Sequence, residues 1–264
     1  MMQVLGQTEH VYCETLWISD IHLGTRHCRA DYLLEVLSRV HCKRLYLVGD
    51  IVDVWSMQRR VYWPESHNQV VRDLLGISST ETEVIYIPGN HDMNMREFVG
   101  TSVGAVAIER EYVHETRDGR RFLVIHGDEL DFATRYRRLN RWLGDAAYSF
   151  VMWANTLYNR IGAACGKPYW SLASWLKTHV SEAARAIEAF QGAAVSTAAN
   201  RGMDGIICGH LHHPAIRRYG DVLYCNDGDW VENCTALIED RSGQLRLIQV
   251  TAASLEMTDL RVAA

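Results

Sequence analysis

The chain has 264 residues, enough for one sizeable domain with an insertion; 48% are hydrophobic and 22% charged, which excludes a disordered or fibrous protein. Its formal net charge of −5 counts against general nucleic-acid binding, which needs a basic surface. Seven cysteines, an odd number with no C-x-x-C pair, argue against a disulfide framework and a thiolate zinc site, and fit a reducing, cytoplasmic setting. The first residues, MMQVLGQTEHVYC, lack the basic start and apolar run of a signal peptide. The longest apolar, uncharged stretch, Ala146–Asn159, has 14 residues and is too short to span a bilayer.

Thr15–Ser19 reads as a short apolar strand and leads into Asp20-Ile21-His22. Residues two apart in extended chain face the same side, so Asp20 and His22 can reach one ion; a solvated loop is the plainer alternative for this triplet alone. Tyr32–Val40 carries Leu33, Leu34, Leu37 and Val40 at helical spacing. It predicts a crossover to the apolar run Leu45–Val48, a βαβ unit with parallel, neighbouring strands. That second strand ends in Gly49-Asp50, with Asp53 three residues on, at the carboxyl edge where open α/β sheets bind ligands. Asp53 alone reads as the cap of the next segment.

Val70–Leu75 predicts a helix and Glu83–Ile87 a strand, closed by Pro88-Gly89-Asn90-His91-Asp92. Pro and Gly stop the strand, and an amide, an imidazole and a carboxylate follow, more chemistry than a turn requires. Arg121–Ile125 is the next strand, ending in His126-Gly127-Asp128. Residues 131–200 then break the rhythm. Helical patterns dominate there, with Trp142, Trp153, Trp170 and Trp175 and a net charge of +4 from eight basic and four acidic residues. A helical subdomain with its own aromatic core is one reading. The other is a lid over the strand ends, with apolar walls and arginines for phosphate or anionic lipid. Gly205–Cys208 restarts the strands and ends in Gly209-His210-Leu211-His212, two more histidines on one face. Val222–Cys225, Thr235–Ile238 and Leu245–Val250 read as further strands, and Met257–Ala264 as a loose tail.

Five strand ends thus present Asp20, His22, Asp50, Asn90, His126, His210 and His212. Oxygen and imidazole donors without a thiolate suit borderline divalent ions, Mn²⁺ first and Fe²⁺ or Zn²⁺ as alternatives, better than Mg²⁺. Seven ligands exceed one tetrahedral site; with Asp50 bridging they divide into two sites of about four, as in two-metal hydrolases with ions ~3.5–4 Å apart.

Ser19-Asp20-Ile21-His22, Gly49-Asp50-Ile51-Val52-Asp53, Gly89-Asn90-His91-Asp92, His126-Gly127-Asp128 and Gly209-His210-Leu211-His212 resemble, in that order, the motifs of the calcineurin-like metallophosphoesterases. The resemblance implies an α/β fold, a four-layer αββα sandwich of two mixed sheets flanked by helices. It implies one domain over 1–264 with 131–200 as a helical insertion. It assigns Asp20, His22, Asp50 and His212 to one metal, and Asp50, Asn90, His126 and His210 to the other. It makes His91 the group that stabilises the transition state or protonates the leaving oxygen, with Asp53 as its carboxylate partner and Asp92 as the local rival.

Within that superfamily the chain looks like the UDP-2,3-diacylglucosamine diphosphatase branch, through SDIHLGT, IHGDELD, the aromatic-rich insertion and GDWVENCTAL. That branch cleaves a pyrophosphate in lipid A assembly, giving UMP and a lipid sugar phosphate. The resemblance therefore implies a small amphipathic phosphorylated substrate, no nucleic acid, and a cytoplasmic protein peripheral to the inner face of the membrane through 131–200. One departure stands out: the best-known form of the branch has Arg after the metal-binding Asn, where this chain has His91. That points to a paralogous type, or to a phosphodiesterase or pyrophosphatase on a soluble nucleotide. A non-catalytic scaffold of the same fold would be expected to have lost some of these motifs.

Overall fold

The computed structural model describes residues 3–4, 10–130, 158–159, 181–250 and 255–257. A two-residue strand β1 (Gln3–Val4) precedes β2 (Val11–Ile18), whose last four residues are all buried. α1 (Ala30–Arg39) buries Leu33, Val36 and Leu37 and turns straight into β3 (Val40–Val48), because Val40 already has extended dihedrals. α2 (Val54–Met57) is a single turn, followed by α3 (Glu65–Ser78). The apolar spacing at 70–75 locates only the middle of α3. Its first turn, Glu65-Ser66-His67-Asn68, is largely polar and begins after Pro64 in extended geometry, a start that hydrophobic periodicity does not register. The Ser79 and Thr80 hydroxyls then donate to the carbonyls of Gly76 and Ile77 and close its end.

β4 (Glu83–Ile87) follows, then a 3-10 helix over Met93–Phe98 and the short strands β5 (Thr101–Val103), β6 (Val106–Ile108), β7 (Tyr112–Glu115) and β8 (Arg121–Val124). After a 3-10 turn at Asp128–Leu130 come α4 (Ser181–Asn200), β9 (Gly205–Cys208), β10 (Ala215–Tyr219), β11 (Val222–Asn226), β12 (Thr235–Glu239), β13 (Leu245–Val250) and β14 (Leu255–Met257). Met257, read from the sequence as the start of a loose tail, is instead the end of β14, which pairs with β1 and β13. The rest of that tail lies outside the described residues.

The strands form two mixed sheets. One runs β1-β14-β13-β12-β2-β3-β4-β6-β5 and the other β10-β11-β9-β8-β7. β2 and β3 are parallel neighbours, Ile18 opposite Leu47, as the βαβ reading requires. Three apolar layers hold the stack together. Ile18, Leu45, Leu47 and Val84 pack beneath α1 and α3, through Leu33, Val36, Val70 and Leu74. Between the sheets lie Trp17, Tyr46, Val48, Ile85, Phe122, Val124 and Ile207. Leu123, Ile125, Ile206 and Tyr224 meet Phe190, Ala194 and Ala198 of α4 on the far side. The result is the α-β-β-α sandwich. Each fully buried aliphatic or aromatic side chain contributes roughly 1.5–3 kcal/mol, and the alternation of faces along β3, with Leu45 and Leu47 outward and Tyr46 and Val48 inward, feeds two layers from one strand.

Of the range 131–200, α4 is the helix that forms the outer layer of the second sheet. Trp142, Trp153, Trp170 and Trp175, on which the lid reading rests, lie outside the described residues. Six cysteines, Cys13, Cys28, Cys42, Cys208, Cys225 and Cys234, are free. Among the described residues no helix is long and apolar enough to cross a membrane.

Candidate metal centre

The parallel strands β2, β3 and β4 of one sheet and β8 and β9 of the other end at one edge, and the backbone there is unusual. Among the described residues six non-glycine residues have positive φ, and five of them are Asp20, His22, Asp50, His210 and His212, at φ between +50° and +66°. Such residues are held in the left-handed region at a cost of ~1–3 kcal/mol each, and persist only where the surroundings fix them. These bends fall just past the ends of β2, β3 and β9. Two motif glycines make room for this. A Cβ at Gly89 would strike the Asp50 carboxylate, and one at Gly209 would strike Asp20 and Ser19.

All seven candidate ligands converge. Asp20 Oδ1 is 3.1 Å from His212 Nε2 and 3.9 Å from His22 Nε2. The two imidazoles point Nε2 at Nε2, 3.3 Å apart. Asp50 Oδ2 is 3.9 Å from His22 Nε2 and 3.5 Å from His126 Nε2. Asn90 Oδ1 is 3.3 Å from His126 Nε2. Three overlapping groups have ligand atoms within 4.8 Å of one another: Asp20, His22 and His212; His22, Asp50 and His91; Asp50, His126 and His210.

The outward nitrogens are fixed by their partners behind. His22 Nδ1 is 3.0 Å from Asp53 Oδ2, and His126 Nδ1 donates to the Val48 carbonyl at 2.9 Å. In both rings Nε2 is left to face the centre, the usual support of a metal-binding histidine. Asp53 does three things at once. It caps α2 by accepting from the Ser56 amide at 2.7 Å, it backs His22, and its Oδ1 lies 3.0 Å from His91 Nδ1, close but not aligned as a hydrogen bond. Asp92 faces the other way. It accepts from the amides of Gly89 at 2.6 Å and Ile51 at 2.8 Å and so braces the turn. Asp53, not Asp92, is the carboxylate beside His91.

Burial works to raise the Asp20 carboxyl, yet the neighbouring His212 outweighs it and holds it at about 2. The same opposition, with His126 as the main partner, keeps Asp50 well below the usual carboxylate range. Burial would lower His22, but Asp53 and then Asp50 and Asp20 raise it to about 9; His126 is likewise raised, by Asp50. In the metal-free protein the carboxylates and imidazoles hold one another charged, and a bound cation would take the place of the imidazole protons. Asp20 Oδ1 is the clearest sign that an ion belongs here: it is buried without a hydrogen-bond donor, and its neighbours are imidazole nitrogens. A divalent cation fits this donor set.

Sequence reasoning missed a group of supporting residues. Ser19 Oγ lies 2.6 Å from Asp20 Oδ2 and 2.8 Å from Asp227 Oδ1. Asn233 Nδ2 donates to the His212 carbonyl, and Asn226 Nδ2 to the Gly209 carbonyl. Arg96 joins the Pro88 carbonyl to Asp128. The run Asn226-Asp227-Gly228-Asp229 follows a strand as the other motifs do, and that was the available signal.

A family model for the calcineurin-like phosphoesterases matches residues 14–214. The chain belongs to that family. It is a metal-dependent phosphoesterase. Similar proteins include the UDP-2,3-diacylglucosamine hydrolase of Chromohalobacter salexigens, 26% identical over 78% of this chain and 82% of that one. The protein of the same description from Shewanella loihica is 25% identical over 84% and 91%. Among solved structures, a Vps29 variant of Entamoeba histolytica is 12% identical over 90% of this chain and 91% of that one, with a TM-score of 0.44. An archaeal phosphodiesterase is 14% identical over 89% and 99%, with a TM-score of 0.42.

Proposed function

We propose that this phosphoesterase hydrolyses the pyrophosphate of a lipid-linked nucleotide diphosphate at a two-ion centre, in the manner of a UDP-2,3-diacylglucosamine diphosphatase, giving UMP and a lipid sugar phosphate. The observation that carries the two-ion reading is the position of Asp50 Oδ2 between His22 Nε2 and His126 Nε2. Asp20, His22, Asp50 and His212 would hold one ion and Asp50, Asn90, His126 and His210 the other, with Mn²⁺ the expected metal. When bound, the ions supply the Lewis acidity that draws in phosphoryl oxygens and acidifies a water. The chain supplies the rest. Asp53 Oδ1 lies beside His91 Nδ1, which leaves Nε2 to give a proton to the departing oxygen. The His91 side chain is 26% exposed, whereas Asp20, His22, Asp50 and His126 are buried.

The lipid-linked substrate is supported by the activity for which the relatives are named and by the tryptophans and net +4 charge of 131–200, which we read as a lid that also meets the membrane surface. His91, in the place where the best-known diphosphatases have Arg, supports a second reading: a phosphodiesterase or pyrophosphatase on a soluble nucleotide. The discriminating experiment is a hydrolysis panel with Mn²⁺, comparing UDP-2,3-diacylglucosamine, simple nucleotide diphosphates and a small aryl phosphodiester. The diacylated substrate should give the highest kcat/KM by orders of magnitude, since each buried methylene adds ~0.8 kcal/mol. Equal or better turnover of the soluble nucleotides would overturn the lipid reading.

A further inference from the structure

We infer that the segment Asp227–Asn233 is a positioning brace for one of the two ion sites and not the other: Asp227, through Ser19, and Asn233 set the geometry of Asp20 and His212. The inference rests on the two-ion reading above. The segment contains all of GDWVEN, Gly228–Asn233, a part of the sequence resemblance that no ligand or catalytic role has absorbed.

The contacts of the segment run to one side of the centre, while Asp20 Oδ2 also accepts from the His210 amide at 2.8 Å, a backbone tie between the two sides that does not pass through the segment. Ser19 Oγ holds Asp20 Oδ2 at 2.6 Å, which turns Oδ1 toward His212 and His22. Asp227 Oδ1 is the other neighbour of that hydroxyl, at 2.8 Å. The Trp230 amide donates to the Asp20 carbonyl at 3.1 Å, and the Arg29 amide to the Trp230 carbonyl at 2.7 Å. Asn233 Nδ2 holds the His212 carbonyl at 2.9 Å. Asn233 is itself fixed by Asp229, which also accepts from the Val231 and Asn233 amides. These contacts pin the left-handed turns at Asp20 and His212 from behind. The side built on Asn90 and His126 has different supports: the Val48 carbonyl, Asp92 and Arg96 with Asp128. Asn226 touches Gly209, which leads to both His210 and His212, and so belongs to neither side alone.

Proton counting makes the Asp227 link specific. Ser19 has one hydroxyl proton for two carboxyl oxygens. Asp227 is fully buried, and its Oδ2 has no hydrogen-bond partner, a costly place for an ionised oxygen. As a neutral acid, Asp227 donates to Ser19 Oγ and Ser19 donates to Asp20, and every proton in the chain is placed. An asparagine at 227 can make the same donation and an alanine cannot.

The test is equilibrium titration of the metal-free protein with Mn²⁺, read as two binding constants, with thermal unfolding of the metal-free form alongside. His212→Ala and His126→Ala identify which constant belongs to which side. Asp227→Ala, Ser19→Ala and Asn233→Ala should each weaken the constant that His212→Ala weakens, by roughly 10–100-fold, the usual effect of removing support behind a metal ligand. The other constant should stay within about twofold of wild type, and Asp227→Asn should keep both. Ser19→Ala removes a single hydroxyl and keeps the test open should Asp227→Ala fail to fold. Equal weakening of both constants, or a lower unfolding temperature with both constants unchanged, would make the segment merely structural and overturn the inference. A wild-type protein that takes up a single ion would overturn the two-ion reading and the inference with it.

Discussion

Two buried polar clusters among the described residues are built on opposite terms. At the carboxyl edge of the strands, acids and histidines crowd together on left-handed backbone, with Asp20 Oδ1 left without a donor. Toward the other end of the same strands, Glu239 accepts from Thr15 Oγ1 at 2.8 Å, from His114 Nε2 at 3.1 Å and from the Arg117 amide at 2.6 Å. His114 Nδ1 in turn meets Tyr46 OH at 3.2 Å. There Thr15, Tyr46, His114 and Glu239 lie on regular strands, and none of these oxygens or ring nitrogens lacks a partner. A buried polar cluster that satisfies itself is a clamp between sheets. One that leaves anionic oxygen facing imidazole is completed from outside.

The sharpest way to break this contrast is at Asp50. On the proposed two-ion reading Asp50→Ala takes a ligand from both sides, so both ions should be lost and turnover should fall by more than ~10³-fold. Metal analysis and kcat together check it, and a variant that keeps two ions would remove Asp50 from its bridging place. His91 sharpens the same edge. His91→Ala should lower kcat by roughly 10²–10⁴-fold while metal content stays at the wild-type level. Loss of metal there would make His91 a ligand, which its grouping with His22 and Asp50 allows.

At the other cluster the same kind of change should act on stability alone. Glu239→Ala strands His114, Thr15 Oγ1 and the Arg117 amide inside the protein. Breaking a buried pair by removing one partner costs about 3–5 kcal/mol. Urea unfolding should show that loss, and kcat of the folded variant should be unchanged. A loss below about 1 kcal/mol, the scale of an exposed pair, would mean that water enters the cluster.

The contrast also explains what could be read from the sequence. The metal edge was legible because its ligands must follow strands: a short apolar run and then Asp, Asn or His is a local pattern, and five copies of it reinforce one another. The central strands were legible for the same reason, since Leu45–Val48 and Glu83–Ile87 are apolar on both faces. β5, β6 and β10 were not. Thr101–Val103 is wholly exposed, and Arg217, Arg218 and Tyr219 make up three of the five residues of a strand that its pairing with β11 defines. The Glu239 cluster was invisible, because Thr15, Tyr46, His114 and Glu239 come from four strands and no spacing links them. Asp53 shows the limit within a motif. Its place after Gly49-Asp50 suggested a cap or a partner for His91, and only the fold reveals that it also backs His22.

The smallest effect separates the clusters by pH. His22 is raised from an ordinary 6.5 to about 9, chiefly by Asp53 against the opposing cost of burial, and His126 and His212 are raised as well. A group with a raised folded pKa stabilises fully below its unfolded value and loses that contribution as pH climbs through the folded one. The metal-free protein should therefore become less stable between about pH 6.5 and 9. Bound ions should flatten that decline, because they take the place of the protons and hold the imidazoles neutral. Glu239 has the opposite sign. Burial pushes it up, but His114, the Arg117 amide and Thr15 together hold it below the ordinary glutamate range. Its contribution is complete above that range and is lost in acid. Glu239→Ala should thus lower the whole stability curve without changing its slope between 6.5 and 9. Unfolding temperatures measured across pH, with and without Mn²⁺, read both predictions at once. A slope that persists in the loaded protein, or vanishes in Glu239→Ala, would place the titrating groups in the wrong cluster.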